Sequence, residues 1–378
     1  MSKMIVRIIV TSLVVLAAIA AAVSLFMHGR QFGRLPRGER LARIERSPNY
    51  RNGAFHNRDT TVMFTSRRGF ASNMLRFLFG SKALLRPQES VPVVRTDLSA
   101  LDPDEEVMVW FGHSSYLLQT GGRRILVDPV FVSASPVRFV NRPFRGTEAF
   151  RAEDMPPVDL LLITHDHWDH LDYRTVMRLK DRVGTVVCPL GVGEHFERWG
   201  FDPERVVELD WDESASPCEG LRVTCLPSRH FSGRGLRRNA TLWASYAVES
   251  AVSRIYVGGD GGYGNHYADI GRRFGGFDLA VMENGQYDEA WSNIHLMPRY
   301  FARAVADIGA SAVVTVHNSK YALARHAWFE PLENALRAAD EGVNLAMPAI
   351  GEPVLFRERP LVRNLWWKDM ADKEKRDD

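Results

Sequence analysis

Cysteine is scarce in this 378-residue chain: Cys188, Cys218 and Cys225 are its full complement. An odd count without Cys-x-x-Cys spacing excludes a disulfide framework and a cysteine-built zinc site, so each reads as a small core residue. Excess charge of either sign is also lacking. Forty-eight basic residues face 46 acidic ones for a net charge of +2, which leaves no overall electrostatic footprint for nucleic acid or another polyanion. Low-complexity segments and short-period repeats do not occur. What remains is ordinary globular composition, 45% hydrophobic and 25% charged, enough for one large domain or two small ones.

One long apolar run stands apart. Ile8 to Met27 carries no charge over its whole length, and at about 1.5 Å per residue it can cross a hydrocarbon core of roughly 30 Å. The stretch "AAVSLFMHGR" returns to large apolar residues where a cleavable signal needs a small-x-small site, so residues 1–28 are expected to be an uncleaved anchor rather than a removed signal. A buried core helix is disfavoured because the run has no polar stripe. Lys3 and Arg7 precede it, and Arg30, Arg34, Arg37, Arg40 and Arg43 follow, partly offset by Glu39 and Glu45. Those counts leave orientation open; the short basic tail points to an exported domain on a single-pass membrane anchor.

Residues 29–100 are arginine-rich and irregular, a linker and arm, within which "GFASNMLRFLFGSKALL" has the spacing of an amphipathic helix. It suits packing onto the main domain, or contact with a membrane surface. From Glu105 the pattern becomes α/β. Strand-like runs occur at "VMVWF", "SYLLQT", "RRILVD", "VDLLLIT", "TVVC", "LRVTCL", "LWASYAVE", "RIYVGG", "DLAVM" and "SAVVTV". Helical periodicity fits Tyr173–Asp181, Val192–Trp199, Tyr267–Phe274, Pro298–Ile308 and Phe329–Glu341. Two clusters of strands with helices between them predict a layered sandwich with helices outside, over residues 101–358. The charged stretch 359–378 is expected to be a frayed tail.

The chemistry concentrates in "LLITHDHWDHLDY". His165 and His167 sit two apart after an apolar strand and project the same way, and Asp169 and His170 follow as the chain turns toward a helix. Imidazole and carboxylate together suit zinc or another first-row divalent ion. Helix capping accounts for one carboxylate, not for three histidines. His230, Asp260 and His317 each follow a further apolar strand, and strand ends on one sheet edge converge in space.

The string His165-x-His167-x-Asp169-His170, with His230, Asp260 and His317 at later strand ends, resembles the metallo-β-lactamase fold superfamily. Beyond those residues, "VWFGHSSYLLQTGGRRILVDPVF", "HLDYRTV", "CPLGVGEHFERWGF", "GGDGGY" and "HAWFEPL" are similar to the branch containing N-acyl-phosphatidylethanolamine-hydrolysing phospholipase D. The resemblance implies an αββα sandwich and two zinc ions. His165, His167 and His230 would hold one ion, Asp169, His170 and His317 the other, and Asp260 both. A metal-bridging hydroxide would then attack the substrate. The resemblance makes His295 a group near the reacting centre, able to bind phosphate or protonate a leaving alcohol, gives His113 a supporting role, and leaves Asp166 outside the ligand set. Asp172 is read as an orienting partner of an imidazole or as a helix cap.

Departures from that branch bear on substrate. Trp168 replaces a tyrosine, "MENGQY" replaces a more apolar loop, and "HNSKY" follows from His317, adding Glu283, Asn284, Asn318 and Lys320. Lys320, Asn318 and Trp168 are expected to contact substrate. The leading expectation is phosphodiester hydrolysis on phospholipid-like substrates, with lactone, ester or amide hydrolysis as the alternative on the same centre. An envelope accessory protein with a structural metal is the alternative of another class, disfavoured because a closed structural zinc needs four ligands rather than seven.

Overall fold

The computed structural model describes residues 3–66, 75, 80, 83–137 and 139–377. Its strands are β1 (Tyr50–Arg51), β2 (Ala54–Phe55), β3 (Val107–Trp110), β4 (Tyr116–Thr120), β5 (Arg123–Val127), β6 (Val158–Leu162), β7 (Val183–Pro189) and β8 (Val206–Leu209). They continue as β9 (Ser214–Cys218), β10 (Leu221–Leu226), β11 (Ser245–Glu249), β12 (Arg254–Val257), β13 (Leu279–Glu283), β14 (Val313–Val316), β15 (Leu345–Ala346) and β16 (Pro353–Leu355). Two seven-stranded sheets result, in the orders β16-β3-β4-β5-β6-β7-β8 and β15-β14-β13-β12-β11-β10-β9. Each sheet is mixed: β5 to β8 and β12 to β15 run parallel, and the remaining neighbours are antiparallel.

The parallel strands are the ones with unbroken apolar runs. Leu160, Leu161 and Leu162 of β6 and Val313 and Val314 of β14 are fully buried, as strands covered on both faces require. Helices Tyr173–Leu179, Gly193–Arg198, His266–Phe274, Pro298–Ile308 and Glu330–Asp340 make the connections. This is the layered α/β sandwich that the spacing predicts, and the five helices fall within two residues of the expected bounds. Strands β8, β9, β15 and β16 are additions at the sheet edges, where short or polar sequence carries no alternation.

The two sheets are joined where their parallel strands end. Tyr246 Oη donates to the Ile163 carbonyl at 2.8 Å, and Ala244 N donates to the Thr164 carbonyl at 2.9 Å. His317 N donates to the His113 carbonyl and His113 N to the Asn318 carbonyl, both at 2.9 Å. The carboxyl ends of β6, β12, β13 and β14 are thereby brought to one edge.

The arm is anchored rather than loose over its first part. Helix Gly38–Glu45 buries Ile44, the β1–β2 hairpin buries Phe55, and Arg40 bonds Glu194, Glu197 and Glu208 of the main body. The amphipathic stretch "GFASNMLRFLFGSKALL" lies almost wholly outside the described residues. Helix Lys3–Met27 has no buried residue and is long and apolar enough to cross a membrane, by length and composition.

The tail does not fray. Lys368–Asp377 is a helix, docked through Trp367, Ala371 and Glu374, all buried. Lys368, Asp369, Lys373, Lys375 and Arg376 are exposed, whereas Glu374 accepts from Gln88 N at 2.7 Å and from Trp328 Nε1 at 2.8 Å. Glu374→Ala leaves the buried Trp328 Nε1 donor unpaired and frees the Gln88 N–H, and should lower unfolding free energy by about 1–3 kcal/mol. A shift of the urea midpoint at constant m-value checks this; an unchanged midpoint would show that the tail does not support the core.

Candidate metal centre

Each candidate ligand leaves the end of a strand. The turn after β6 carries His165, His167, Asp169 and His170; the loop after β10 carries His230; Asp260 follows β12 and His317 follows β14. The chain is glycine at 258 and 259 before Asp260, and a Cβ at Gly259 would sit 2.8 Å from the Ala244 carbonyl with φ at +59°, so only glycine lets this turn press against the sheet.

The first group is His165, His167 and His230. His165 Nε2 lies 2.8 Å and His230 Nε2 3.2 Å from His167 Nδ1. The far nitrogens are already committed: His230 Nδ1 donates to the Ile294 carbonyl at 2.7 Å, and His165 Nδ1 donates to Thr164 Oγ1 at 3.0 Å. Thr164 Oγ1 in turn donates to Asp128 Oδ2 at 2.6 Å. The inward nitrogens of His165 and His230 therefore present lone pairs to the same small space. Burial first, and then the neighbouring histidines, hold His165 and His230 well below the usual imidazole range, the neutral form that ligates metal.

The second group is Asp169, His170 and His317, with His113 beside it. Burial opposes charge on His170, but Asp260, Asp169 and Asp128 around it hold its pKa well above the usual value. Its Nδ1 bonds Asp128 Oδ2 at 2.7 Å, which directs Nε2 toward Asp169 at 3.7 Å and Asp260 at 3.2 Å. His113 Nε2 lies 3.0 Å from Asp169 Oδ2, so this histidine supports a ligand carboxylate. Asp260 is shared: its Oδ2 is 3.2 Å from His170, 3.7 Å from His230 and 4.0 Å from His165, and its Oδ1 is 3.2 Å from His317 Nδ1.

These side chains fit a divalent pair. His170 Nε2 and Asp260 Oδ1 are buried and make no hydrogen bond despite those short approaches, and buried polar atoms without partners are rare in proteins. Three facing ring nitrogens and a shared carboxylate are what a metal-binding site with oriented outer partners presents.

Two residues expected to contact substrate, Lys320 and Asn318, are engaged elsewhere. Lys320 does not reach the centre: its ammonium is buried and donates to the carbonyls of Phe111 at 3.2 Å and Val130 at 3.0 Å. Asn318 is likewise consumed, its amide donating to the carbonyls of Asn284 and Val316. Positive φ at His317 and Ser319, 68° and 63°, turns this segment into the core. Trp168 stays at the rim, half-buried, with the Arg234 guanidinium 3.9 Å from its ring centroid and Phe32 edge-on at 5.1 Å. Asp172 is a cap, accepting from Arg174 N, Val132 N and Thr175 Oγ1. Asp166 is buried; burial raises its pKa, but His195 and Arg234 prevail and hold it at about 2. Asp128, Thr164 and Ser114, which bonds His317 Nδ1 at 2.9 Å, are partners that the sequence pattern did not single out.

The Lys320 placement has a measurable consequence. Burial pushes its pKa from 10.5 down to about 8, so between those values the unfolded chain binds the extra proton and stability rises with pH. Wild type should gain stability across that window and Lys320→Met should lack this gain, while turnover per folded molecule is unchanged. Parallel denaturation curves at several pH values decide it; a selective loss of phosphodiester turnover would return Lys320 to the site.

His295 does join the centre. Its ring is 5.1 Å from that of His230 and 5.4 Å from that of His317, and its Nδ1 lies 3.1 Å from Glu283 Oε2. Glu283 is buried and also accepts from Leu296 N. Burial pushes its carboxyl up to about 8.

A family model described as the β-lactamase superfamily domain matches residues 123–318. An uncharacterized protein of Mycobacterium tuberculosis is 40% identical over 330 residues, covering 86% of this chain and 88% of that one. The N-acyl-phosphatidylethanolamine-hydrolyzing phospholipase D 1 of Caenorhabditis elegans is 32% identical over 193 residues, 48% of this chain and 54% of its own length. Among solved structures, the diiron β-hydroxylase CmlA of Streptomyces venezuelae aligns with a TM-score of 0.51 at 20% identity, over 67% of this chain and 54% of that one, a likeness of fold alone.

Proposed function

The chain belongs to the metallo-β-lactamase superfamily, as a metal-dependent hydrolase, and on that premise we propose that it cleaves phosphodiesters of membrane phospholipids using two zinc ions. In this reading His165, His167 and His230 would hold one ion, Asp169, His170 and His317 would hold the second, and Asp260 would serve both. The observation that carries it is the shared carboxylate: Asp260 approaches histidines of both groups. The phosphodiester assignment is supported by the similarity to a phospholipase D. The lipid assignment draws also on the exposed apolar helix, whose end meets the metal string through Phe26, Phe32 and Trp168, edge to edge at 5.2 and 5.1 Å.

When bound, a divalent pair supplies Lewis acidity, acidifying water and taking up charge on substrate oxygens. The chain supplies orientation and a proton. Glu283, protonated at neutral pH, donates its O–H to His295 Nδ1, which places the imidazole N–H on Nε2. That N–H hydrogen-bonds a phosphoryl oxygen and passes its proton to the departing alcohol as Nδ1 takes the Glu283 proton, so the ring ends neutral and Glu283 ends as a carboxylate. The helix holds the domain at a membrane, on the exported side.

Withdrawal of Lys320 from the site favours one second reading, hydrolysis of a neutral lactone or ester. Kinetics of the purified full chain, zinc-loaded, with a glycerophospholipid phosphodiester, a lactone and a thioester in parallel test the choice. A kcat/KM highest for the phosphodiester is expected; preference for the lactone would overturn the assignment.

A further inference from the structure

A second concavity lies at the foot of the N-terminal helix. It encloses about 520 Å³ between Met27, Phe32 and Leu35 on its apolar side and Arg34, Arg198 and Arg237 on its charged side. Among the described residues one carboxylate lines it, Asp166, and that group is already engaged by His195 at 3.2 Å, Gly233 N at 2.7 Å and Thr241 Oγ1 at 3.0 Å. Arg34 is matched by Glu194. Arg198 and Arg237 are not matched in this way: their partners are the carbonyls of His28 at 3.3 Å and Gly53 at 3.2 Å, and Arg198 Nε is buried without a hydrogen bond. The cavity thus carries uncompensated positive charge beside an apolar wall.

Its position follows from the helix. Met27 ends the apolar run and lines the cavity, so a helix that spans a bilayer places this cavity at headgroup level. The loop that closes it, Gly233–Arg238, exposes Leu236 to 89% with Arg237 and Arg238 beside it. A lone apolar side chain flanked by arginines suits insertion among headgroups, with the guanidinium groups on phosphate.

We propose that this cavity seats the headgroup of an anionic bilayer phospholipid, its phosphate against Arg198 and Arg237 and its acyl chains beside the helix. Two residues before that loop stands Phe231, whose ring lies 4.3 Å from that of His167 and 4.8 Å from that of His230. A seated lipid therefore holds the mouth of the metal centre against the membrane plane. The inference rests on the membrane reading of the helix but not on which bond the centre cleaves.

The test uses full-length protein in vesicles of phosphatidylcholine with or without phosphatidylglycerol. Leu236→Cys and, separately, Leu13→Cys carry a polarity-sensitive fluorophore. Both labels should report an apolar environment and be quenched by brominated acyl chains, with the Leu236 signal stronger when phosphatidylglycerol is present. Native mass spectrometry should find phosphatidylglycerol retained by wild type, and Arg198→Gln/Arg237→Gln should lower that retention about ten- to thirty-fold with metal content unchanged. Soluble glycerophosphoglycerol should not compete. A buried Leu13 label with Leu236 in water, or retention that ignores the two arginines, would overturn the lipid site while leaving the anchor. Both labels in water would overturn the site together with the anchor. Failure to hydrolyse any phosphodiester, with Leu236 buried and lipid retained, would overturn the proposed reaction and leave this site standing.

Discussion

Asp260→Ala should lose metal and turnover together. Its carboxylate approaches histidines of both clusters, so removing it opens both positions and leaves the facing imidazoles to repel one another. The expected loss in kcat/KM is at least about a thousand-fold, since the acidified nucleophile and the charge sink disappear in one step. Metal analysis of the purified variant should find less than the wild-type complement. Full occupancy with normal turnover would remove the dinuclear assignment.

His295→Ala should lower turnover by about a hundred- to a thousand-fold with metal retained, the range for a positioned proton donor. The informative readout is the leaving group. If Nε2 protonates the departing alcohol, the loss is large for an alkyl alcohol and small for a nitrophenol, which departs without help. Glu283→Gln keeps a donor toward Nδ1 and should cost less than His295→Ala. Equal losses for both leaving groups would confine His295 to binding phosphate or packing against His230.

Much of this centre was legible because ligand chemistry and strand spacing coincide. His165, His167, Asp169, His170, His230, Asp260 and His317 each stand directly behind an apolar run, and the two-layer fold brings those ends together. Asp128 was not legible. It looks like a turn residue before Pro129, yet its φ of 41° turns the side chain back to take His170 Nδ1, Thr164 N and Thr164 Oγ1. Lys320 misled for a related reason: its distance from His317 in sequence is short, but left-handed backbone at His317 and Ser319 sends it into the core. The C-terminal tail misled through composition. Charge suggested solvent, whereas Trp367, Ala371 and Glu374, at i, i+4 and i+7, form one inward stripe.

Metal titration of the chelated full-length enzyme, followed by phosphodiester hydrolysis at each step, tests the central claim most directly. The account predicts two tightly bound zinc ions per chain, with activity rising to its maximum only as the second is filled. Maximal activity at one ion per chain, or two ions bound with no hydrolysis of any phosphodiester, would contradict it.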